Sequence, residues 1–313
     1  MAGAPGAPLL ATTRSGKVAL LDLTTGATTW STAALGDAIG TSAVTQTYSG
    51  ADASYQALYS GDLVIVGTKN ASATNNKVYG LDAATGAVRW TFNASGATAM
   101  DVIVSAPFVD EGRDQVWIAT KANGGTQPSL WLLSTLNGTL VQAWSLGDVV
   151  GTITYGSEGV LYVPTASGQL YAYDPATQAM RWAAPYDLGA NNPVVDYVWE
   201  DFSQPQVLFL STTSGHVWAL QSSGTSTAPT LKWKTVVAGA SAPWANGATG
   251  VLYMGSSDGK VHELRLTDGV DQKQGTLGRG AAAGGVPLWD WSSGWLMAPA
   301  ASGKVFALPT PLP

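Results

Sequence analysis

The sequence of 313 residues contains no cysteine, two histidines and few charged side chains, which make up 12% of the chain. Without cysteine, the chain can form neither a disulfide framework nor a thiolate metal site. Its net charge of −6 offers no basic surface for nucleic acid. It has no run of about 18 apolar residues, the length that a membrane-spanning helix requires. We therefore expect no nucleic-acid partner and no membrane span.

The main positive feature is a phrase that recurs about every 40 to 60 residues, a period typical of solenoids and propellers. Its clear copies run from Ser15 to Trp30, from Asn76 to Trp90 and from Ser167 to Trp182. Weaker copies begin at Ser214, Asp258 and Ser302, and a degraded copy covers residues 130–144. The 37 glycines and the low charge disfavour a helical solenoid, whose solvent faces need strong helix formers.

Each copy predicts four short antiparallel strands. The first strand lies around a proline, which suits the start of a strand because it lacks an N–H donor. The second is almost continuously hydrophobic, the third is the recurring phrase, and the fourth carries a tryptophan that can pack on the neighbouring blade. The predicted first strands with proline are 105–109, 191–195, 241–244 and 285–288.

Seven such units predict an all-β fold, a seven-bladed β-propeller of four-stranded blades. An eight-bladed propeller agrees less well with the seven copies of the repeat. We expect one propeller domain over residues 8–313 behind a Gly/Ala/Pro-rich linker at 1–7, which lacks the features of a signal peptide. The first blade is expected to lack its inner strand, and the last to lack its tryptophan strand.

The phrase Gly-x-Val/Leu-Tyr-Ala-Leu-Asp-x-x-Thr-Gly-x-x-x-Trp, clearest at residues 77–90 and 168–182, resembles the repeat of pyrroloquinoline-quinone-like propellers. That superfamily includes quinoprotein alcohol dehydrogenases and a scaffold lipoprotein of bacterial outer-membrane assembly. For the dehydrogenases, the resemblance implies eight blades, a quinone held beside a vicinal disulfide, and a calcium ion near a catalytic aspartate. Because this chain has seven copies and no cysteine, we expect no quinone cofactor and no enzymatic activity.

The remaining polar residues give weak signals for chemistry. His216 and His262 both lie in third strands and are interpreted as ordinary strand residues rather than as a base or metal pair. Asp110, Glu111 and Asp114 cluster in sequence and could hold calcium through oxygens, but they lack the alternating spacing of a calcium loop. An exposed polar turn is the simpler interpretation, so no metal site is predicted.

Aromatic and polar residues outside the repeat pattern are the candidate binding residues, because tryptophan and tyrosine anchor interfaces and ligands. Those near the first strands, where propellers gather loops around the central channel, are Tyr155, Asn191, Asn192, Trp244, Trp289, Asp290 and Trp291. Trp199, in a predicted irregular loop at 196–206, is a separate exposed-patch candidate. Alternatively, Trp244 and Trp289 only plug the channel.

The leading hypothesis is a non-catalytic scaffold that binds a protein partner and belongs to a larger exported bacterial protein, periplasmic or extracellular. The second is a small-molecule or carbohydrate site in the central funnel. A quinone-dependent dehydrogenase is the third and is disfavoured for the reasons above.

Overall fold

The computed structural model describes residues 9–70, 72, 75–94, 99–201, 206–278, 284–290 and 292–313. The chain divides into two compact units, Met1–Ile153 and Thr154–Pro313. Seven antiparallel sheets follow one another along the chain, three in the first unit and four in the second. We number these sheets as blades 1 to 7. The expectation of one propeller domain over residues 8–313 stays a prediction.

The first unit contains blades 1, 2 and 3. Their strands, in spatial and chain order, are β1 (Leu9–Thr12), β2 (Val18–Leu21) and β3 (Thr28–Ser31); β4 (Val44–Gln46), β5 (Leu63–Gly67), β6 (Val78–Asp82) and β7 (Val88–Phe92); and β8 (Phe108–Asp110), β9 (Gln115–Ala119), β10 (Leu130–Ser134) and β11 (Leu140–Trp144). A helix, α1 (Ala53–Leu58), lies between β4 and β5, where no helix was expected.

The second unit contains blades 4 to 7. Blade 4 has β12 (Thr154–Tyr155), β13 (Leu161–Pro164), β14 (Gln169–Asp174), β15 (Ala179–Met180) and β16 (Tyr186–Asp187). Blade 5 has β17 (Trp199–Glu200), β18 (Val207–Thr212), β19 (His216–Gln221) and β20 (Thr230–Val236). Blade 6 has β21 (Trp244–Asn246), β22 (Val251–Gly255), β23 (Lys260–Arg265) and β24 (Asp271–Thr276), and blade 7 has β25 (Leu288–Asp290), β26 (Trp295–Pro299) and β27 (Val305–Pro309). Blade 4 departs from four strands because β15 and β16 pair with opposite ends of β14. Within the described ranges, blades 1 and 7 have three strands each, as expected.

The first strands begin later than predicted. In blade 3 the strand starts at Phe108 rather than at Ser105, and in blade 7 it starts at Leu288 rather than at Gly285. In blade 5 the segment 191–195 forms only a bridge between Val194 and Thr212, and the strand is Trp199–Glu200. Proline restricts the residue before it and gives no N–H to a ladder, so pairing starts after it.

Blade contacts are built around the tryptophan of the fourth strand. Trp30, Trp90 and Trp233 are at most 9% exposed. Each indole Nε1 donates a hydrogen bond to a backbone carbonyl of the following blade, and the accepting residue directly follows the third strand of that blade. The bonds run from Trp30 to Ala83 at 2.9 Å, from Trp90 to Thr135 at 2.8 Å, and from Trp233 to Leu266 at 2.9 Å. The prediction that this tryptophan packs on the neighbouring blade is confirmed at these three positions.

The turn glycine of the following blade completes this contact. Gly138 has a φ of +72°, which favours glycine, and a Cβ atom there would lie 2.5 Å from Cε3 of Trp90. Gly86 stands in the same relation to Trp30, and Gly269 to Trp233. The glycine turn between the third and fourth strands therefore has two roles, because it closes a hairpin and covers the indole of the preceding blade.

Candidate functional site

The first strands of blades 5, 6 and 7 each contribute one tryptophan to a continuous aromatic row. The ring centroids of Trp199 and Trp244 lie 6.2 Å apart, and those of Trp244 and Trp289 lie 6.1 Å apart. Tyr197 and Tyr253 extend the row, at 6.1 Å from Trp199 and 6.5 Å from Trp244. The structure thus brings together three of the predicted binding residues from positions far apart in the sequence.

This row is largely part of the core. Trp244 is 8% exposed, while Trp199 and Trp289 are half-buried and pack on the same hydrophobic cluster. The expectation that Trp199 forms an exposed patch in an irregular loop is wrong, because Trp199 lies in β17 and pairs with Phe209 of β18. Trp289 lies at the end of the row, and its Nε1 donates to Oγ1 of Thr310 at 3.2 Å.

The other predicted binding residues do not join this row. Tyr155 is 54% exposed, at the end of β12 in blade 4. Asn191 is exposed and has a left-handed φ of +53°. Asn192 is buried; its Nδ2 donates to the carbonyl of Leu188 at 2.8 Å, and its Oδ1 accepts from the N–H of Ser214 at 3.1 Å. Asn192 therefore connects segments of blades 4 and 5.

Asp290 follows Trp289 but is engaged in the turn between β25 and β26. Its carboxylate accepts hydrogen bonds from the hydroxyls of Ser292 and Ser293, at 2.9 and 2.5 Å. These bonds, that of Ser293 first, lower the pKa of Asp290. Trp291, the last predicted binding residue, lies outside the residues that the structure describes.

The possible calcium cluster is divided among other partners. Asp110 pairs with Arg113 at 2.8 Å, and Oε1 of Glu111 accepts from the N–H of Thr47 at 2.6 Å. Asp114 is buried, and its carboxylate accepts from Nε2 of Gln46 at 2.8 Å and from the N–H of Tyr55 in α1 at 3.2 Å. Burial raises the pKa of Asp114. Over the described ranges, no three or more His, Cys, Asp or Glu side chains are grouped as a metal site. Instead, two of these carboxylates link blade 3 to the β4–α1 segment of blade 2.

His262 is buried between two carboxylates of its own blade. Its Nδ1 lies 2.8 Å from Oδ2 of Asp271, and its Nε2 lies 3.4 Å from Oδ2 of Asp258. Burial works to raise the pKa of Asp258, but hydrogen bonds from Ser256 and His262 outweigh it and lower the pKa. All three residues belong to blade 6, and this cluster fixes its third strand.

Sequence reasoning missed a pocket between blades 6 and 7, with a volume of about 990 Å³. The pocket adjoins the aromatic row, and both Tyr253 and Trp289 line it. Glu263, Lys273 and Thr310 also line it. The signal was available in the repeat register, since Glu263 is a charged residue where other copies have Leu20, Gly80, Leu132, Ala172 or Ala219, and no tryptophan follows it in blade 6. The volume is within the range typical of ligand sites.

The family described as outer membrane protein assembly factor BamB matches residues 130–308, more than half of the chain. The chain belongs to this family. Among curated protein sequences, none matches the chain. The match includes the third and fourth strands of blade 3 and most of the second unit, with the aromatic row and the pocket lining apart from Thr310 and Pro311.

Three solved structures of similar fold extend the comparison. BamB from Moraxella catarrhalis has 23% identity and a TM-score of 0.67, over 96% of this chain and 81% of that one. Sqt1 from Saccharomyces cerevisiae has 12% identity and a TM-score of 0.67, over 97% and 81%. Quinohemoprotein alcohol dehydrogenase ADHIIG from Pseudomonas putida HK5 has 12% identity and a TM-score of 0.64, over 93% and 61%. At these identities they establish the fold alone. The predicted pyrroloquinoline-quinone-like repeat and the all-β seven-bladed propeller are confirmed.

Among the described residues, no helix has both the length and the apolar character needed to cross a membrane.

Proposed function

We propose that this chain is a non-catalytic scaffold that binds a protein partner. The observation that carries the proposal is the match of residues 130–308 to the outer membrane protein assembly factor family. A BamB-like propeller supports a scaffold role. The similarity to a quinohemoprotein alcohol dehydrogenase, at 12% identity, supports a common fold and does not add a catalytic role.

The second unit is the part of the chain that we assign to partner binding. It lies almost entirely within the family match and contains the aromatic row. A rigid row of this kind holds the surrounding turns in fixed positions, and a preorganised surface loses less conformational entropy on binding. Tyr155, Trp295 and the rim of the blade 6–7 pocket are accessible parts of this unit that carry aromatic side chains.

We also propose that the chain is part of a larger exported bacterial protein that acts in the periplasm or outside the cell. The family is described as an outer membrane protein assembly factor, and this supports the proposal. Fractionation of the source cell with an antibody against the chain tests it. Recovery with the cytoplasmic proteins would contradict this part of the proposal.

Site-specific photo-cross-linking tests the partner proposal. A photoreactive amino acid is placed at Tyr155 or at Ser293 on the pocket rim, and a matched control is placed at the exposed Thr24 of blade 1. We expect one reproducible protein adduct from one or both sites of the second unit, and none from Thr24. The proposal fails if neither site gives an adduct above the control in the envelope fraction of the source cell.

The alternative of a carbohydrate site on the funnel tryptophans has less support. Sugar binding needs an open ring face, and Trp244 is only 8% exposed because Trp199, Trp289 and Tyr253 surround it. It stays a prediction, tested by titrating tryptophan fluorescence with sugars. A spectrum that remains unchanged would contradict it.

A further inference from the structure

The tryptophan contacts between blades use equivalent positions on the third and fourth strands of each blade. In blade 2 the cross-strand partner of Trp90 is Gly80, and in blade 5 the partner of Trp233 is Ala219. The register shifts directly after that small residue in both blades. A Cβ atom at Gly80 would clash with the indole of Trp90. In these two blades a small residue on the third strand leaves room for the ring, whereas in blade 1 Trp30 lies opposite Leu20.

Blade 6 keeps this register but changes the residues. Lys273 stands at the tryptophan position, its cross-strand partner is Glu263, and the register again shifts directly after Glu263. The next blade provides Thr310 directly after its third strand, where Thr135 and Leu266 accept the indole hydrogen bond in the other contacts. Blade 6 thus presents the frame of the contact without the indole.

The pocket lies where this indole is missing. Glu263, Lys273 and Thr310 all line it, together with Tyr253, which is 1% exposed, and the half-buried Trp289. Lys273 is exposed and does not fill the space that a tryptophan ring takes in the other blades. The pocket is therefore the place of a missing side chain in a repeated design.

Glu263 provides a hydrogen-bond acceptor deep in the pocket. It is 4% exposed, and its Oε2 accepts from the N–H of Leu312 at 3.0 Å. Burial raises the pKa of Tyr253, and the neighbouring Glu263 raises it further. Within the part of the chain that the structure describes, no Lys, Arg or His nitrogen lies within 4.0 Å of this carboxylate. The carboxylate also has a side-chain hydrogen bond with Tyr253, and a further N–H donor would stabilise its buried charge.

The two cations that line the pocket lie at its mouth. Arg265 is exposed and pairs with Asp268, with Nε 3.2 Å from Oδ1. Lys273 is also exposed. The chemical group that can bind inside the pocket therefore depends on the acceptor Glu263 and on the aromatic residues Tyr253 and Trp289.

We propose that this pocket binds the indole ring of a tryptophan side chain presented by the protein partner, with the indole N–H donated to Glu263. The inference rests on the scaffold function proposed above. An indole agrees with two features, which are the tryptophan position held by the exposed Lys273 and the buried acceptor Glu263, and the half-buried ring of Trp289 lines the same pocket. The partner's ring takes the place that Trp90 and Trp233 occupy within the chain itself.

Calorimetric titration with N-acetyl-tryptophanamide tests the pocket directly. We expect saturable binding to the full chain. The double variant Glu263→Ala/Lys273→Trp restores the small residue and the tryptophan of blades 2 and 5, and it should weaken binding at least tenfold. Gln274→Trp, which adds a tryptophan one residue along β24 outside the pocket, is the matched control and should change the affinity less than twofold.

Two further ligands test the donor and the source of the indole. The analogue methylated on the indole nitrogen cannot donate and should bind at least tenfold more weakly, which corresponds to about 1.4 kcal/mol. A blocked pentapeptide with a central tryptophan should bind at least as tightly as N-acetyl-tryptophanamide. If free indole binds and this peptide does not, a partner side chain is the wrong source and the proposal fails.

The proposal is overturned if the probe does not bind up to its solubility limit, or if the methylated analogue or the filled pocket binds equally well. If circular dichroism reports that the double variant is unfolded, Trp289→Ala replaces it, with the same expected tenfold loss. These outcomes are separate from those of the cross-linking experiment. An adduct at Tyr155 with no indole binding would retain the scaffold function and reject the indole pocket.

Discussion

The contact between blades 2 and 3 and the contact between blades 6 and 7 use the same positions with different residues. In the first, Trp90 fills the space opposite Gly80 and donates to the carbonyl of Thr135. In the second, Lys273 lies opposite Glu263, and a pocket of about 990 Å³ remains. The register is retained while the filling side chain is absent. The comparison indicates that strand pairing alone maintains the blade, and that the tryptophan determines whether the space between two blades is closed.

The difference also separates stability from binding. A buried tryptophan contributes through burial and through its hydrogen bond, and each such contact joins two blades. A contact without it leaves a pocket lined by the half-buried Trp289 and by Glu263, which is 4% exposed. Each variant in blade 2 or 3 has a matched control variant elsewhere in the chain.

The largest effect is expected from removing the tryptophan. Trp90→Ala should lower the free energy of unfolding by about 3–5 kcal/mol, because a large buried side chain is replaced by a cavity. Lys273→Ala, at the equivalent position of blade 6, should change it by less than about 0.5 kcal/mol, because Lys273 is exposed. Urea unfolding of both variants measures the difference. Equal losses would contradict the distinction between the two contacts.

A smaller effect is expected from the glycine that covers the indole. Gly138→Ala should cost about 2–4 kcal/mol, since alanine would be strained at a φ of +72° and its Cβ would lie 2.5 Å from Trp90. Gly26→Ala is the matched control, because Gly26 has a φ of +71° and open space around it, and it should cost about 1 kcal/mol. Thermal unfolding provides the measurement. A Gly138 effect no larger than the Gly26 effect would mean that the glycine is needed only for its turn.

The smallest effect concerns the charge at the end of the third strand. Burial works to raise the pKa of Asp82, but hydrogen bonds from Arg89 and Thr85 outweigh it and lower the pKa below its ordinary value of 3.8. Asp82 therefore stabilises the fold above about pH 4, and this contribution is lost as the pH falls through its folded-state pKa.

Asp82→Asn should consequently cost about 1 kcal/mol at pH 7, and progressively less below pH 4. Arg265 has the equivalent position in blade 6, and Arg265→Gln should show no such trend with pH down to pH 4. Unfolding curves recorded from pH 7 to pH 3 compare the two variants. A constant difference between Asp82→Asn and the unmodified chain would contradict the assignment.

The sequence predicted what the repeat determines. Hydrophobic second strands, the glycine turns and the tryptophan contacts follow from local residue patterns, so the seven sheets and the three-stranded terminal blades were predictable. The first strands were placed too early because proline was counted within the strand. The helix at Ala53–Leu58 was missed although Asp52 is a local N-cap that accepts from the N–H of Ser54; the N–H of Tyr55 is bonded by Asp114, which is distant in sequence.

The candidate site was less predictable because it depends on contacts between blades. Trp199, Trp244 and Trp289 were singled out as candidate binding residues, a role that stays a prediction, and their meeting in a half-buried row depends on tertiary packing. Glu263 was treated as part of a weak copy. Comparing each copy position by position would have revealed a charged residue where the other copies have an uncharged one, and a lysine where blades 1, 2 and 5 have tryptophan.

A crystal structure of the full chain with bound N-acetyl-tryptophanamide tests the central claim most directly. Our account predicts the indole ring between blades 6 and 7, beside Tyr253 and Trp289, with its N–H directed at the carboxylate of Glu263. A ring bound elsewhere, or a pocket closed by the side chain of Lys273, would contradict it.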